Sequence, residues 1–340
     1  MLKVAVVGAT GYTGEELTRI LLNHPKVEIT SLTAKLDEEK KYSEIFPRFL
    51  DRCNLVCKNL DVAEVCSKAD LIFLALPHGV SMRYVRRFLS EGKRVIDLSA
   101  DYRLKDKGLY EKWYKIKHID EDNLKNSIYG LPELYKNKIK RASLIANPGC
   151  YSTAALLCCL PSVSGNHFGL SEIIIDAKSG LTGAGRKAHI DLHFSEINEN
   201  VKAYKVASHQ HTPEISQELS AISKQNMQPI FVPHIIPINR GILTTVYLQY
   251  KEKINQEYMQ DLYKDFYKDS PFVKVLDKDK LPQIKDVVYT NYCHIGLKVD
   301  EEKGLVIVVG VIDNLLKGAS GQAVENMNIM YGFKQDEGLV

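Results

Sequence analysis

Leu2-Lys3-Val4-Ala5-Val6-Val7-Gly8-Ala9-Thr10-Gly11-Tyr12-Thr13-Gly14 runs from a β-rich stretch into a glycine loop, and a helical pattern follows from Glu15 to Leu22. Strand, glycine loop and helix in that order make the first βα unit of a dinucleotide-binding fold. Glycine lets the backbone turn sharply and approach a pyrophosphate, while the helix N-terminus aims its N–H groups at the anion. The GxxGxxG spacing, common in NADP-dependent enzymes, nominates Gly8, Thr10, Gly11, Tyr12, Thr13 and Gly14 for the cofactor.

The next strand, Val27 to Thr33, ends where such folds separate NAD from NADP. An acid there would accept a ribose 2′-hydroxyl, but the chain reads Thr33-Ala34-Lys35, hydroxyl and cation suited to a 2′-phosphate. NADP(H) is therefore expected, with Asp37, Glu38 and Glu39 nearby as the opposing signal. Ala69 to Leu76 is a continuous apolar run, as a central parallel strand requires. It ends at Pro77-His78-Gly79. A helix over Ser81 to Leu89 and a strand over Arg94 to Leu98 lead into Ser99-Ala100-Asp101-Tyr102-Arg103. Pro77, His78 and Ser99 are expected at the cofactor, and Arg103 is placed to meet an anion.

A short strand, Ser143 to Ala146, delivers Asn147-Pro148-Gly149-Cys150-Tyr151-Ser152-Thr153-Ala154-Ala155. Asn-Pro-Gly is turn chemistry, and Ser152 to Leu160 suits a buried helix. Cys150 thus falls at a helix N-terminus, where unpaired N–H groups and the positive dipole end favour the reactive thiolate. A strand from Glu172 to Ala177 precedes Ser179-Gly180-Leu181-Thr182-Gly183-Ala184-Gly185-Arg186-Lys187, a glycine-rich loop able to hold an acidic substrate. In Ser208-His209-Gln210-His211-Thr212-Pro213-Glu214, Thr212 is predicted to cap a helix running to Lys224 with Pro213 at its first position. His209 and His211 then lie on one side of an extended segment, one tuned near neutrality to move a proton and the other binding an oxyanion or substrate. Strands are expected at Ile230 to Pro237, Leu243 to Tyr250, Tyr292 to Val299 and Leu305 to Ile312, in a sheet with helices mainly on one face. Asp313 to Gln322 enters a last helix through Met330, a return to the first domain.

The chain has 340 residues, 45% hydrophobic, enough for two domains. A net charge of +3 argues against a nucleic-acid or membrane-surface partner, and the locally basic runs Lys105 to Lys117 and Lys136 to Arg141 read as solvated surface. No apolar run approaches a membrane span and no signal-peptide pattern is present, so a cytoplasmic protein is expected. Seven scattered cysteines are not a disulfide framework. Cys53, Cys57 and Cys66 lack a completing pair, and the two histidines lack a third ligand with metal-site spacing, so no metal is expected.

Taken together, GATGYTG (8–14), LSADYRL (98–104), NPGCYSTA (147–154), SGLTGAGRK (179–187), HQHTPEI (209–215) and DNLLKGASGQAVENMN (313–328) resemble the N-acetyl-γ-glutamyl-phosphate reductases, the arginine-biosynthesis branch of the aspartate-semialdehyde dehydrogenase family. The likeness spans Val4 to about Phe333. The departure is Thr33-Ala34-Lys35, where that family often has Ser-Arg-Ser. The resemblance implies an α/β protein with an NADP-binding Rossmann domain (1–148 plus 314–340) and an α+β, mixed-sheet domain for catalysis and oligomerisation (149–313). It implies Cys150 as nucleophile on an acyl phosphate and His209 as the proton-transferring residue. Substrate contacts would come from Arg103, Asn147, Ser179, Arg186, His211 and Glu214, and further cofactor contacts from Gly180, Asn314 and Lys317. A homodimer or homotetramer is implied, with the acyl phosphate and inorganic phosphate as small-molecule partners. Other acyl-phosphate reductases, aspartyl or carrier-linked aminoadipyl or glutamyl, remain open, as does an NADP-binding sensor; a Cys/His hydrolase would have no use for GATGYTG.

Overall fold

The computed structural model describes residues 1–164 and 170–340, and these form two units, Met1–Pro148 with Ala319–Val340, and Gly149–Gly318.

In the first unit the strands are β1 (Leu2–Val7), β2 (Val27–Thr33), β3 (Lys40–Lys41), β4 (Val56–Lys58), β5 (Leu71–Leu74), β6 (Arg94–Asp97), β7 (Ile128–Tyr129) and β8 (Leu144–Ala146). They make one sheet ordered β3-β4-β2-β1-β5-β6-β8-β7, parallel except for β3 against β4. β1 lies between β2 and β5, so the chain reverses its winding there, and the crevice beyond the carboxyl ends of β1 and β5 is the topological switch point where such sheets bind ligands. All four residues of β5 are buried, which is why its sequence runs apolar without alternation. The stretch around Trp113 is a helix, Lys107–Tyr114, started by the Asp106 carboxylate accepting from Leu109 N at 2.6 Å.

The second unit contributes β9 (Leu170–Ser179), β10 (Lys202–Ala203), β11 (Ile230–Ile235), β12 (Ile242–Tyr250), β13 (Val273–Val275), β14 (Cys293–Asp300) and β15 (Leu305–Ile312). They form a mixed sheet ordered β10-β11-β9-β12-β15-β14-β13. The helix Cys150–Val163 packs on β12 and β15 and is buried all round from Tyr151 to Val163. Burial of Leu156, Leu157 and Leu160 stabilises it by about 2 kcal/mol each. Pro161 sits within its last turn and has no N–H for the Leu157 carbonyl four residues back. The Tyr267 hydroxyl donates to that carbonyl at 2.5 Å, and Tyr263 to the Cys158 carbonyl at 2.6 Å. The far end of the helix is thus fixed, and with it the residue at its start.

Candidate active site

Gly8 has φ +89, and a Cβ there would fall 2.2 Å from the Ala75 carbonyl oxygen, so only glycine lets β1 turn beside β5. Gly8 and Ala9 N–H donate to the Thr33 carbonyl at 2.8 and 2.9 Å, pinning the loop to the end of β2. The helix Tyr12–Leu22 then begins from Gly11, with no side-chain cap. A glycine-started helix with Tyr12, Thr13 and Gly14 in its first turn suits a dinucleotide pyrophosphate, so the loop fits the cofactor its sequence implies. Thr10 and Gly11 are half-buried. Thr33 is buried and its hydroxyl has no partner among the described residues, whereas Lys35 is exposed.

The loops after β5 and β6 are tied together. His78 Nδ1 accepts from Ala100 N at 3.0 Å, and the Asp101 carboxylate accepts from Gly79 N at 2.6 Å and Met82 N at 3.1 Å. Pro77 and His78 are exposed. Ser99 is buried, its hydroxyl donating to Asp97 at 2.7 Å and accepting from Asp101 N at 3.1 Å. Complete burial, with Asp101 close by, raises the Asp97 carboxyl to about 7.

Arg103 is also buried; Nε donates to the Asn147 carbonyl at 2.8 Å and Nη2 to the Leu98 carbonyl at 2.9 Å. Asn147 spends its amide inside the same unit, donating to the Ala319 carbonyl and accepting from Asn326 Nδ2, each at 3.1 Å. Both residues therefore build the turn that ends in Pro148.

Cys150 is the first residue of its helix, with Gly149 as N-cap. It alone of the seven cysteines is not buried. The Glu214 carboxylate accepts from Gly149 N at 2.8 Å, so this fully buried acid anchors the turn into the helix. Burial drives the Tyr151 and Tyr204 phenols upward, Tyr204 to about 12, and negative charge on Cys150 adds to both shifts.

The histidine segment differs from its sequence reading. The helix is His211–Ser223, begun from Gln210 in an α conformation, and Thr212 is not its cap. His209 Nδ1 accepts from His211 N at 3.0 Å, so an imidazole takes the first free donor and starts the helix early. The Thr212 hydroxyl is buried without a partner among the described residues. The approach is a turn rather than an extended segment, with Lys205 and Ala207 at φ 46 and 56. The turn still joins the two rings, whose centroids lie 4.7 Å apart, and His209 meets Tyr151, Tyr204 and Phe231 edge-on at 5.4 to 5.5 Å. With Nδ1 accepting a backbone bond, the neutral ring carries its proton on Nε2, which faces the Tyr204 hydroxyl at 3.3 Å.

Burial, followed by the charges of His211 and Lys205 and opposed by Glu214, pushes His209 down to about 2. It is not tuned near neutrality, because an aromatic box desolvates it. Below about pH 6.5 the unfolded chain binds a proton that folded His209 refuses, so stability is lost as pH falls from about 6.5 toward 2, by about 1.4 kcal/mol per unit. In urea unfolding between about pH 6 and 4, His209→Asn should show a slope shallower by about one proton than the parent; an unchanged slope would mean His209 protonates normally in the folded state.

Ser179 ends β9 buried, its hydroxyl donating to the Gly180 carbonyl at 2.9 Å, and Gly180 N donates to the Gly241 carbonyl at 2.9 Å. Arg186 is exposed beyond the short 3-10 turn Leu181–Ala184. Asn314 accepts from Gly241 N at 2.8 Å and donates to Thr182 Oγ1 at 2.9 Å; Lys317 is fully buried, Nζ 5.6 Å from the Phe272 ring centre. Tyr204, Phe231 and Arg240 escaped the sequence reading, and Asp313 entered it only as the start of the last helix, since no spacing links them to Cys150 or His209. Among the described residues no group of three or more His, Cys, Asp or Glu side chains is placed to hold a metal. No helix among them is long and apolar enough to cross a membrane.

Fold and site define a two-domain NAD(P)-binding enzyme of the semialdehyde dehydrogenase type. Family models described as "Semialdehyde dehydrogenase, NAD binding domain" and "Semialdehyde dehydrogenase, dimerisation domain" match residues 3–142 and 150–314. Aspartate semialdehyde dehydrogenase II of Vibrio cholerae shares the fold, with TM-score 0.74 at 16% identity over 98% of this chain and 99% of that one. The Candida albicans enzyme, solved with NADP, gives 0.73 at 16% identity, over 97% of this chain and 98% of that one. The N-acetyl-gamma-glutamyl-phosphate reductase of Pelotomaculum thermopropionicum is 48% identical over 99% of this chain and 97% of its own length. That of Pelobacter propionicus is 48% identical over 100% and 98%. The chain belongs to the N-acetyl-gamma-glutamyl-phosphate reductase family.

Proposed function

We propose that this chain catalyses the NADPH-dependent reductive dephosphorylation of N-acetyl-L-glutamyl 5-phosphate to N-acetyl-L-glutamate 5-semialdehyde, a step of arginine biosynthesis. The observation that carries the chemistry is Cys150, the one cysteine that is not buried, at the start of a buried helix and directly before Tyr151, whose ring meets both His209 and His211. Identities of 44 to 48% to reductases of that name, against 16% to the Vibrio and Candida aspartate semialdehyde dehydrogenases, favour the acetylglutamyl over the aspartyl substrate.

The Cys150 thiolate attacks the γ-acyl carbon, the acyl–phosphate C–O bond breaks, inorganic phosphate leaves, and a thioester remains on sulfur. The chemistry supplied by bound NADPH is hydride transfer to the thioester carbonyl. First-turn N–H groups of the Cys150 helix hold the developing oxyanion, worth about 3 to 4 kcal/mol per well-placed donor. Neutral His209 presents Nε2–H to the same oxygen as a hydrogen-bond donor and keeps its proton, because the oxyanion itself supplies the electron pair that re-forms the carbonyl. Collapse of the thiohemiacetal breaks the C–S bond and restores the thiolate. His211 orients the substrate, and Glu214 does so through the Gly149 turn. Arg186 is the exposed cation for the substrate carboxylate, while Arg103, Asn147 and Ser179 shape the site through the backbone they hold. Gly8, Thr10, Gly11, Tyr12, Thr13, Gly14, Thr33, Lys35, Pro77, His78, Ser99, Gly180, Asn314 and Lys317 serve NADP(H). Residues 1–148 with 319–340 are the cofactor module and 149–318 the catalytic and oligomerisation module, the return to the first unit falling at Ala319 rather than at the expected 314. The assembly is a homodimer or homotetramer in the cytoplasm.

The test is the reverse reaction: phosphate-dependent reduction of NADP⁺ with N-acetylglutamate semialdehyde, beside aspartate semialdehyde and beside NAD⁺. Turnover with only the acetylated aldehyde and NADP⁺ is expected; turnover with aspartate semialdehyde alone would reassign the substrate. Lys35, exposed at the end of β2, reads the 2′-phosphate, so Lys35→Ala should raise KM for NADP by about tenfold and leave NAD nearly unchanged. Equal losses for both would remove that role.

A further inference from the structure

Asp313 follows β15 and is fully buried. Its carboxylate accepts from Arg240 Nε at 2.9 Å and Nη2 at 3.0 Å, Tyr289 N at 2.8 Å, Leu315 N at 2.8 Å and Leu316 N at 3.1 Å. Arg240 also stacks on Tyr289, 4.6 Å from the ring centre. The Asp313 carbonyl accepts from Gly318 N at 3.0 Å, closing the turn that begins at Leu316. A Cβ on Gly318 would lie 2.8 Å from Cys150 Cβ and 3.3 Å from its Cα, so the backbone of this turn is the wall against which Cys150 sits. Through Asn314 the same turn is bonded to Gly241 and Thr182.

The geometry points to Arg240 and Asp313 as positioning residues that set the place of the Cys150 thiol through the Gly318 turn, an inference that rests on Cys150 being the nucleophile. A planar two-pronged cation is what holds a buried carboxylate while its remaining lone pairs fix three backbone N–H groups. Removing the fork leaves Asp313 charged and buried, and the turn rearranges to hydrate it. A displacement of about 1 Å at a reacting atom costs about 100-fold in rate.

Cys150 alone is unburied, so alkylation by iodoacetamide, followed by mass spectrometry, reads that thiol without turnover. Arg240→Met should change the pH-dependent alkylation rate of Cys150 by about tenfold and lower kcat by about 100-fold. Arg240→Lys, which keeps the charge and loses the fork, should fall between. A kcat loss with a parental alkylation profile would overturn the inference, and so would no change in either. Should Arg240→Met fail to fold, Arg240→Lys and Gly318→Ala decide: the added methyl leaves the ion pair intact and meets Cys150 directly, so an unaltered alkylation rate in Gly318→Ala refutes the wall. Retained turnover in Cys150→Ser would instead sink the nucleophile assignment, an outcome these alkylation rates cannot imitate.

Discussion

Cys150→Ser should bind NADPH within about twofold of the parent and lose turnover by on the order of 10⁴-fold. A serine hydroxyl at the same helix start keeps the shape, the hydrogen bonds and the dipole, but it is not ionised at neutral pH and forms an ester in place of a thioester. Serine is close in volume, and Cys150 is only half-buried, so the fold should survive. Single-turnover release of phosphate from the acyl phosphate, without NADPH, separates the two halves of the reaction. The parent should release about one equivalent per site and Cys150→Ser none; a full burst from the serine variant would assign the nucleophile elsewhere.

His209→Asn should lower kcat by about 10² to 10³-fold, the scale for deleting one donor to an oxyanion, and His211→Asn by about tenfold. The difference follows from position. His209 is desolvated in a box of Tyr151, Tyr204 and Phe231 with its proton fixed on Nε2, whereas His211 is the first residue of a helix and less enclosed. Because His209 stays neutral down to about pH 2, the acid limb of kcat should not carry its titration, and any ionisation near pH 6.5 belongs to another group. A larger loss in His211→Asn, or a limb near 6.5 that vanishes in His209→Asn, would exchange the two roles.

Much of the nucleotide-binding half was legible because its signals are local. GATGYTG follows a strand and opens a helix, and the glycine that must turn beside β5 is the first glycine of the motif. Runs such as Leu71–Leu74 read as buried strands because both faces are covered. Cys150 at a helix start was likewise readable from Asn-Pro-Gly followed by small apolar residues. The histidine segment was misread at its cap: Ser/Thr rules place Thr212 at the boundary, yet the His209 ring reached the helix donors first.

Sequence alone therefore determined the two-domain α/β class, the glycine loop, the cysteine at its helix end and the pairing of two histidines, all properties of residues within a few positions of one another. Tertiary structure decided how the site behaves. His209 is neutral because Tyr151, Tyr204 and Phe231 come to it from three separate segments and exclude water, and desolvation depends on that enclosure. Arg103 and Asn147 hold the turn before Pro148 through backbone carbonyls and a distant amide, partners that no local spacing announces. The Arg240–Asp313 fork spans 73 positions of chain; burial and long-range hydrogen bonding leave no periodicity in a sequence, so only the folded chain could bring that pair to the wall behind Cys150.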